Sequence, residues 1–200
     1  MMKKFLLSFL LFVCCFTLTL QSHATVMPDT SEIREGIRFS ECVRPYNGGV
    51  LIANYGSQHK MPGIDEIKGY ILYRKNGQTK TLIPPGLLHY PSGIAVKDDY
   101  LFVCDGDHLR VYNLQQPEKA PQTITFPKPY WLKAAAIDGN TLYVSSDNVG
   151  QIFTLDITHP ENMNRVQPKK WLELQGVKCM AVGNGVMYIT APPENGPDTE

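Results

Sequence analysis

The 200-residue sequence carries no surplus of either charge, with lysine plus arginine and aspartate plus glutamate each numbering 19. No bulk positive charge is there to drive phosphate binding, and a nucleic-acid partner is not expected. After Leu20 no apolar stretch is long enough to cross a bilayer, so no stable membrane span is expected. Cys-x-x-Cys pairs, zinc-ligand spacings and haem attachment motifs are missing, as are phosphate loops and Gly-x-Gly-x-x-Gly runs. No Gly-x-Ser-x-Gly elbow marks a hydrolase nucleophile. No segment has convincing helical periodicity. Disorder is excluded too, because 43% of residues are hydrophobic and 10% aromatic.

The first 24 residues read as an address. Lys3 and Lys4 precede the apolar run Phe5–Leu20, and Ser22-His23-Ala24 offers the small residues a signal peptidase needs. Cleavage after Ala24 is expected, giving an exported, periplasmic or secreted, chain. An uncleaved anchor and a lipoprotein are the weaker alternatives, the latter because Val13 rather than a small residue precedes Cys14. The mature chain keeps Cys42, Cys104 and Cys179, enough for one disulfide with a thiol left over or for three buried thiols. No Asn-x-Ser/Thr sequon occurs, which fits a bacterial exported protein.

What is present is repetition. Glycine (16) and proline (15) are plentiful and favour turns. Four segments share one pattern: a strand of small residues, a tight turn, then a β-branched or aromatic strand. They run Glu41–Val43 to Val50–Asn54, Ser92–Val96 to Leu101–Asp105, Lys133–Ile137 to Leu142–Ser146, and Lys178–Val182 to Met187–Ala191. A third strand follows in the first three units (Gly69–Arg74, His108–Asn113, Gly150–Leu155), and a weaker fourth at Thr79–Ile83, Gln122–Phe126 and Lys170–Leu174. Four-stranded antiparallel units repeating at 51, 41 and 45 residues predict an all-β fold, a β-propeller with about three and a half blades. The expected blades span about 36–86, 87–128, 129–174 and a partial 175–191, after a lead-in at 25–35 and before a Pro-rich tail at 192–200. Since propellers close with about 4–8 blades, the chain is expected to be part of a six-bladed ring. Closure by self-association, or by residues 25–36 completing the last blade, are the alternatives.

Pro91-Ser92-Gly93-Ile94-Ala95 followed by Leu101-Phe102-Val103-Cys104-Asp105 resembles the blades of the senescence-marker, gluconolactonase and NHL-like propellers. Leu142–Ser145 and Val50–Asn54 are weaker matches, and the resemblance covers roughly 36–191. It implies a central pocket in which metal-dependent lactonases hold Ca²⁺ or a similar divalent ion on a Glu of the first blade and an Asn and an Asp of later ones. That ion polarises the lactone carbonyl. Registering the repeats puts Glu41, Ser92, Lys133 and Lys178 at the channel position. Glu41 either matches the family's first metal ligand or is a strand-start carboxylate paired with Lys133 or Lys178, and the two ammonium groups repel a cation by a few kcal/mol each at about 4–6 Å. Asn54 and Asp105 close second strands and are either ligand contacts or turn caps. His89, Tyr130 and Trp131 precede channel strands and could line a pocket mouth, since aromatic rings stack well on sugars.

Two functions follow. One is an exported propeller, without catalysis or with lost catalysis, that binds a small polar or anionic ligand or a protein partner through Glu41, Ser92, Lys133, Lys178, Asn54, Asp105, His89 and Trp131. The other is a metal-dependent lactone hydrolase whose remaining ligands lie in further blades. The loop Tyr55–Lys68 could serve either as a lid.

Overall fold

Antiparallel strands joined by tight turns dominate the described part of this chain. The computed structural model describes residues 36–37, 39–55, 68–126 and 130–192. The chain divides into two units, Met1–Ser31 and Glu32–Glu200, and all described residues lie in the second. The expected signal peptide, the lead-in at 25–35, the interior of the Tyr55–Lys68 loop and the tail beyond Pro192 lie outside the described residues.

Fourteen strands are described. The first sheet is β1 (Ser40–Tyr46), β2 (Gly49–Asn54), β3 (Tyr70–Lys75) and β4 (Gln78–Ile83). The second is β5 (Pro91–Lys97), β6 (Tyr100–Asp105), β7 (His108–Asn113) and β8 (Gln122–Thr125). The third is β9 (Leu132–Asp138), β10 (Thr141–Ser146), β11 (Gln151–Asp156) and β12 (Lys169–Glu173), and β13 (Cys179–Gly183) and β14 (Val186–Thr190) form a two-stranded fourth. Each sheet is an antiparallel meander in chain order. The described residues form a partial β-propeller of three and a half blades.

Turn chemistry sets the register. Asn47–Gly48, Asn76–Gly77 and Asn184–Gly185 all have positive φ, as two-residue type I′ hairpins require. They join Tyr46 to Gly49, Lys75 to Gln78 and Gly183 to Val186.

Period-2 alternation then sorts side chains between neighbouring blades. Leu101 and Val103 of β6 pack toward the first blade with Leu51, Ile71 and Ile83. Phe102 and Cys104 of the same strand pack the other way, with Ala135, Leu142, Val144 and Phe153. Ala134, Ala136 and Ile152 face the fourth blade, against Val177 and Met180. Turns clip neighbouring blades together as well: the Tyr46 hydroxyl donates to Asp99 Oδ1 at 2.9 Å, and Lys97 Nζ to the Gly139 carbonyl at 3.1 Å. Burial, and then the Asp99 carboxylate, push the Tyr46 phenol up to about 12.

One element departs from the sequence expectation. A 3₁₀ turn at Pro160–Arg165 follows β11 and seats Met163, fully buried, in the core between the second and third blades. Its apolar content is too short to show helical periodicity, and its only local signal is the proline at its start.

The inner strands explain the small residues. A Cβ on Gly93 would stand 2.6 Å from Ala134 Cα and from the Lys133 carbonyl. β5 and β9 therefore meet backbone to backbone, and only glycine fits there. Gly93→Val is expected to cost about 1–3 kcal/mol as an overpacked site, read as a lower urea midpoint at unchanged slope. An unchanged midpoint would mean the two strands stand further apart.

Candidate functional site

The four residues that open the inner strands do not share one task. Lys133 Nζ lies 2.6 Å from Glu41 Oε2, an ion pair from the third blade to the first between half-buried side chains. Lys178 Nζ sits 2.9 Å from Asp147 Oδ2. Ser92 is buried and donates its hydroxyl to the Leu132 carbonyl at 2.9 Å. Both lysines thus hold carboxylates, and the one carboxylate at this position is neutralised by a lysine.

Arg44 was not singled out from the sequence, yet it reaches furthest of all. Counted back from the hairpin turns it stands where the other blades carry Ala95, Ala136 and Ala181. Its Nη2 donates to the Ala135 carbonyl at 3.2 Å and the Met180 carbonyl at 3.4 Å. The guanidinium links the inner strands of the first, third and fourth blades. An arginine among alanines was the available signal.

Asp105 and Asn54, both buried, end their β6 and β2 strands. Asp105 Oδ1 accepts the backbone N–H groups of His89 and Tyr90, each at 2.7 Å. Its Oδ2 lies 3.4 Å from Arg110 Nε and 3.8 Å from His89 Nδ1. The turn-cap expectation is therefore corrected for Asp105, whose partners are amides 15 and 16 residues upstream rather than those of its own turn. Asn54 makes a local bond, Nδ2 to the Ile52 carbonyl at 3.2 Å. In the third blade Asn148 does the work of Asp105: its Oδ1 accepts Trp131 N–H at 2.8 Å and the Ser146 hydroxyl at 2.9 Å.

These clamps fix the segments that enter β5 and β9, and between them lies a cavity of about 380 Å³. His89, Tyr90, Asp105, Asp107, His108 and Trp131 line it, with Gly106 and Tyr130 completing the wall. The His89 side chain is 69% exposed and Trp131 36%, so both present themselves to solvent. Asp107 Oδ1 lies 3.1 Å from His108 Nδ1. Tyr90, not singled out from the sequence, stacks on Trp131 at 5.4 Å between ring centroids. Of the sequence-nominated residues, His89, Asp105, Tyr130 and Trp131 share this cavity; Glu41, Ser92, Lys133, Lys178 and Asn54 are not among its lining.

The arrangement can hold a small ring with polar groups: aromatic faces for its flat side, and imidazole and carboxylate edges for its hydroxyls. A divalent ion fits poorly. Glu41 is tied to Lys133, Ser92 to a backbone carbonyl and Asp105 to two amides. Among the described residues no group of three or more His, Cys, Asp or Glu side chains could hold a metal ion.

No protein-family model matches the chain, and no curated protein matches it in sequence. Solved structures do. Regucalcin from Agrobacterium tumefaciens, a calcium-binding protein, superposes with a TM-score of 0.55 at 15% identity over 80% of this chain and 55% of its own. A nidogen/laminin complex gives 0.55 at 12% identity over 74% and 53%. Virginiamycin B lyase from Staphylococcus aureus gives 0.53 at 12% over 76% and 48%. The likeness is one of fold. At such identity it fixes the β-propeller architecture and no activity, since this architecture carries many functions. The chain spans about half the length of each of these structures.

The three cysteines among the described residues, Cys42, Cys104 and Cys179, are free thiols. Burial raises the thiol pKa of Cys104, which is fully enclosed, and that of Cys42, while Cys179 is exposed. Thiolate is the reactive form, so iodoacetamide at pH 8 is expected to label Cys179 and spare Cys42 and Cys104 until the protein is unfolded. Peptide mapping reads this directly, and fast labelling of Cys104 in the folded protein would contradict its burial.

Proposed function

We propose that this chain is an exported propeller that binds a small, neutral, carbohydrate-like ligand in the cavity between the β4–β5 and β8–β9 connections, without catalysis. The cavity itself carries the reading: an aromatic wall of Tyr90, Tyr130 and Trp131 beside the polar edges of His89, Asp107 and His108. Export rests on Lys3, Lys4, the apolar run and Ser22-His23-Ala24. The described residues include no helix long and apolar enough to cross a membrane. An anionic ligand has less support, because Lys133 and Lys178 are each held by a carboxylate.

A second reading, a lactone hydrolase that uses a divalent metal, draws on the fold likeness to calcium-binding regucalcin and on Glu41 at the channel position. Its ligand set is not assembled by the described residues, so further blades would have to supply it.

Calorimetric titration with a panel of monosaccharides and sugar lactones, with and without Ca²⁺, separates the two. The binding reading expects saturable binding that ignores Ca²⁺, weakens about 2- to 12-fold in Trp131→Ala, as loss of an aromatic contact of about 0.5–1.5 kcal/mol implies, and is unchanged in Glu41→Gln. Tight Ca²⁺ binding that disappears in Glu41→Gln would overturn it in favour of the hydrolase.

A further inference from the structure

The cavity does not end the aromatic surface. Tyr90 packs against Trp131 at 5.4 Å and also against Tyr55 at 5.3 Å between centroids, each pair tilted by 31°. The row therefore passes from the third blade through the second to the first. It continues by repeat position: Phe39, Tyr90 and Trp131 each stand immediately before the inner strand of their blade. The Phe39 carbonyl accepts the N–H of Tyr55 at 2.9 Å, which sets Phe39 beside the end of the row. Counted seven residues back from the turn end of each inner strand, as Phe39, Tyr90 and Trp131 are, the fourth-blade position is Gly176, and the aromatic series stops.

Phe39 is the telling member. It is 52% exposed, so packing does not account for it. Its φ is +53°, a region that a bulky aromatic residue rarely occupies and that glycine or asparagine would occupy with less strain. A strained, exposed aromatic at a repeat position suited to glycine points to a surface use rather than a folding one.

We propose that the ligand of this site is a linear oligosaccharide rather than a single sugar. One terminal unit enters the His89–Trp131 cavity, and successive units lie along Tyr90, Tyr55 and Phe39. This rests on the carbohydrate reading of the cavity given above and extends it across two more blades. Neutral pyranose rings suit the row because apolar ring faces meet aromatic carbons while hydroxyls stay in water. Single-stranded nucleic acid also stacks on aromatic rows, but along a positively charged groove. Here Lys133 and Lys178, at the channel position, are paired with Glu41 and Asp147, and Asp107 adds a further carboxylate.

The test is the dependence of affinity on length. The full chain is titrated with glucose and N-acetylglucosamine, and with their β-1,4-linked oligomers of two, four and six units, together with α-1,4-linked glucose oligomers. In at least one series affinity is expected to rise about fivefold or more between one and four units. Phe39→Gly should abolish most of that gain, keep the affinity for the single sugar, and leave the thermal midpoint unchanged or higher, because it relieves the positive φ. Trp131→Ala should weaken every length. Binding of single sugars with no gain on lengthening overturns the extended row and leaves the cavity reading standing. A folded protein that binds no member of any series overturns both.

Discussion

Each blade of this protein has two apolar faces and can bury neither alone. That constraint governs the structure. Burial of apolar area is the dominant favourable contribution to folding, and here it is available only by setting one sheet against the next. Successive side chains of β6 accordingly point into different cores, Leu101 and Val103 toward the first blade and Phe102 and Cys104 toward the third. The inner strands approach most closely of all, and the Gly93–Ala134 contact leaves no room for a side chain. Where a large residue does enter this row, as Arg44 does, it spans the inner strands and satisfies its donors on the carbonyls of Ala135 and Met180.

The site is a by-product of the same stacking. Loops that enter inner strands must turn sharply at the blade edge, and their amides need partners. Asp105 supplies them in the second blade and Asn148 in the third, one with a carboxylate and one with an amide oxygen. These clamps hold Tyr90 and Trp131 at the rim, where their rings stack with each other and line a cavity. The charges nearby are mostly satisfied within the protein, as in the Glu41–Lys133 and Lys178–Asp147 pairs. Such partly exposed pairs add little to stability, but they lower the pull of this surface on charged ligands. What remains available is aromatic and polar.

Strands and hairpins were legible in the sequence because their causes are local. Alternation such as Leu101-Phe102-Val103-Cys104 and turns such as Asn47-Gly48 need no knowledge of the rest of the chain. The 3₁₀ turn at Pro160 was not legible, being six residues without a repeating pattern. The site was legible in part. His89 and Trp131 were expected at a pocket mouth from their place ahead of inner strands, and they share one cavity. Tyr90 was missed although it stands immediately before its inner strand, as Trp131 does. The Glu41–Lys133 pair, 92 residues apart in the chain, was one of the two pairings the repeat register offered for Glu41. The amide partners of Asp105 were harder, because they are set by how the chain enters the next inner strand, which a linear pattern does not encode.

The central claim is that the cavity beside Trp131 is where a ligand sits, and fluorescence reads it most directly. The chain has two tryptophans, Trp131 and Trp171. In a Trp171→Phe protein, Trp131 is the sole indole emitter. Titration with sugars is predicted to give a saturable shift in its emission and to protect it from iodide quenching. Unchanged emission and quenching of a folded protein, at sugar concentrations where calorimetry detects binding, would place the ligand elsewhere and contradict the account.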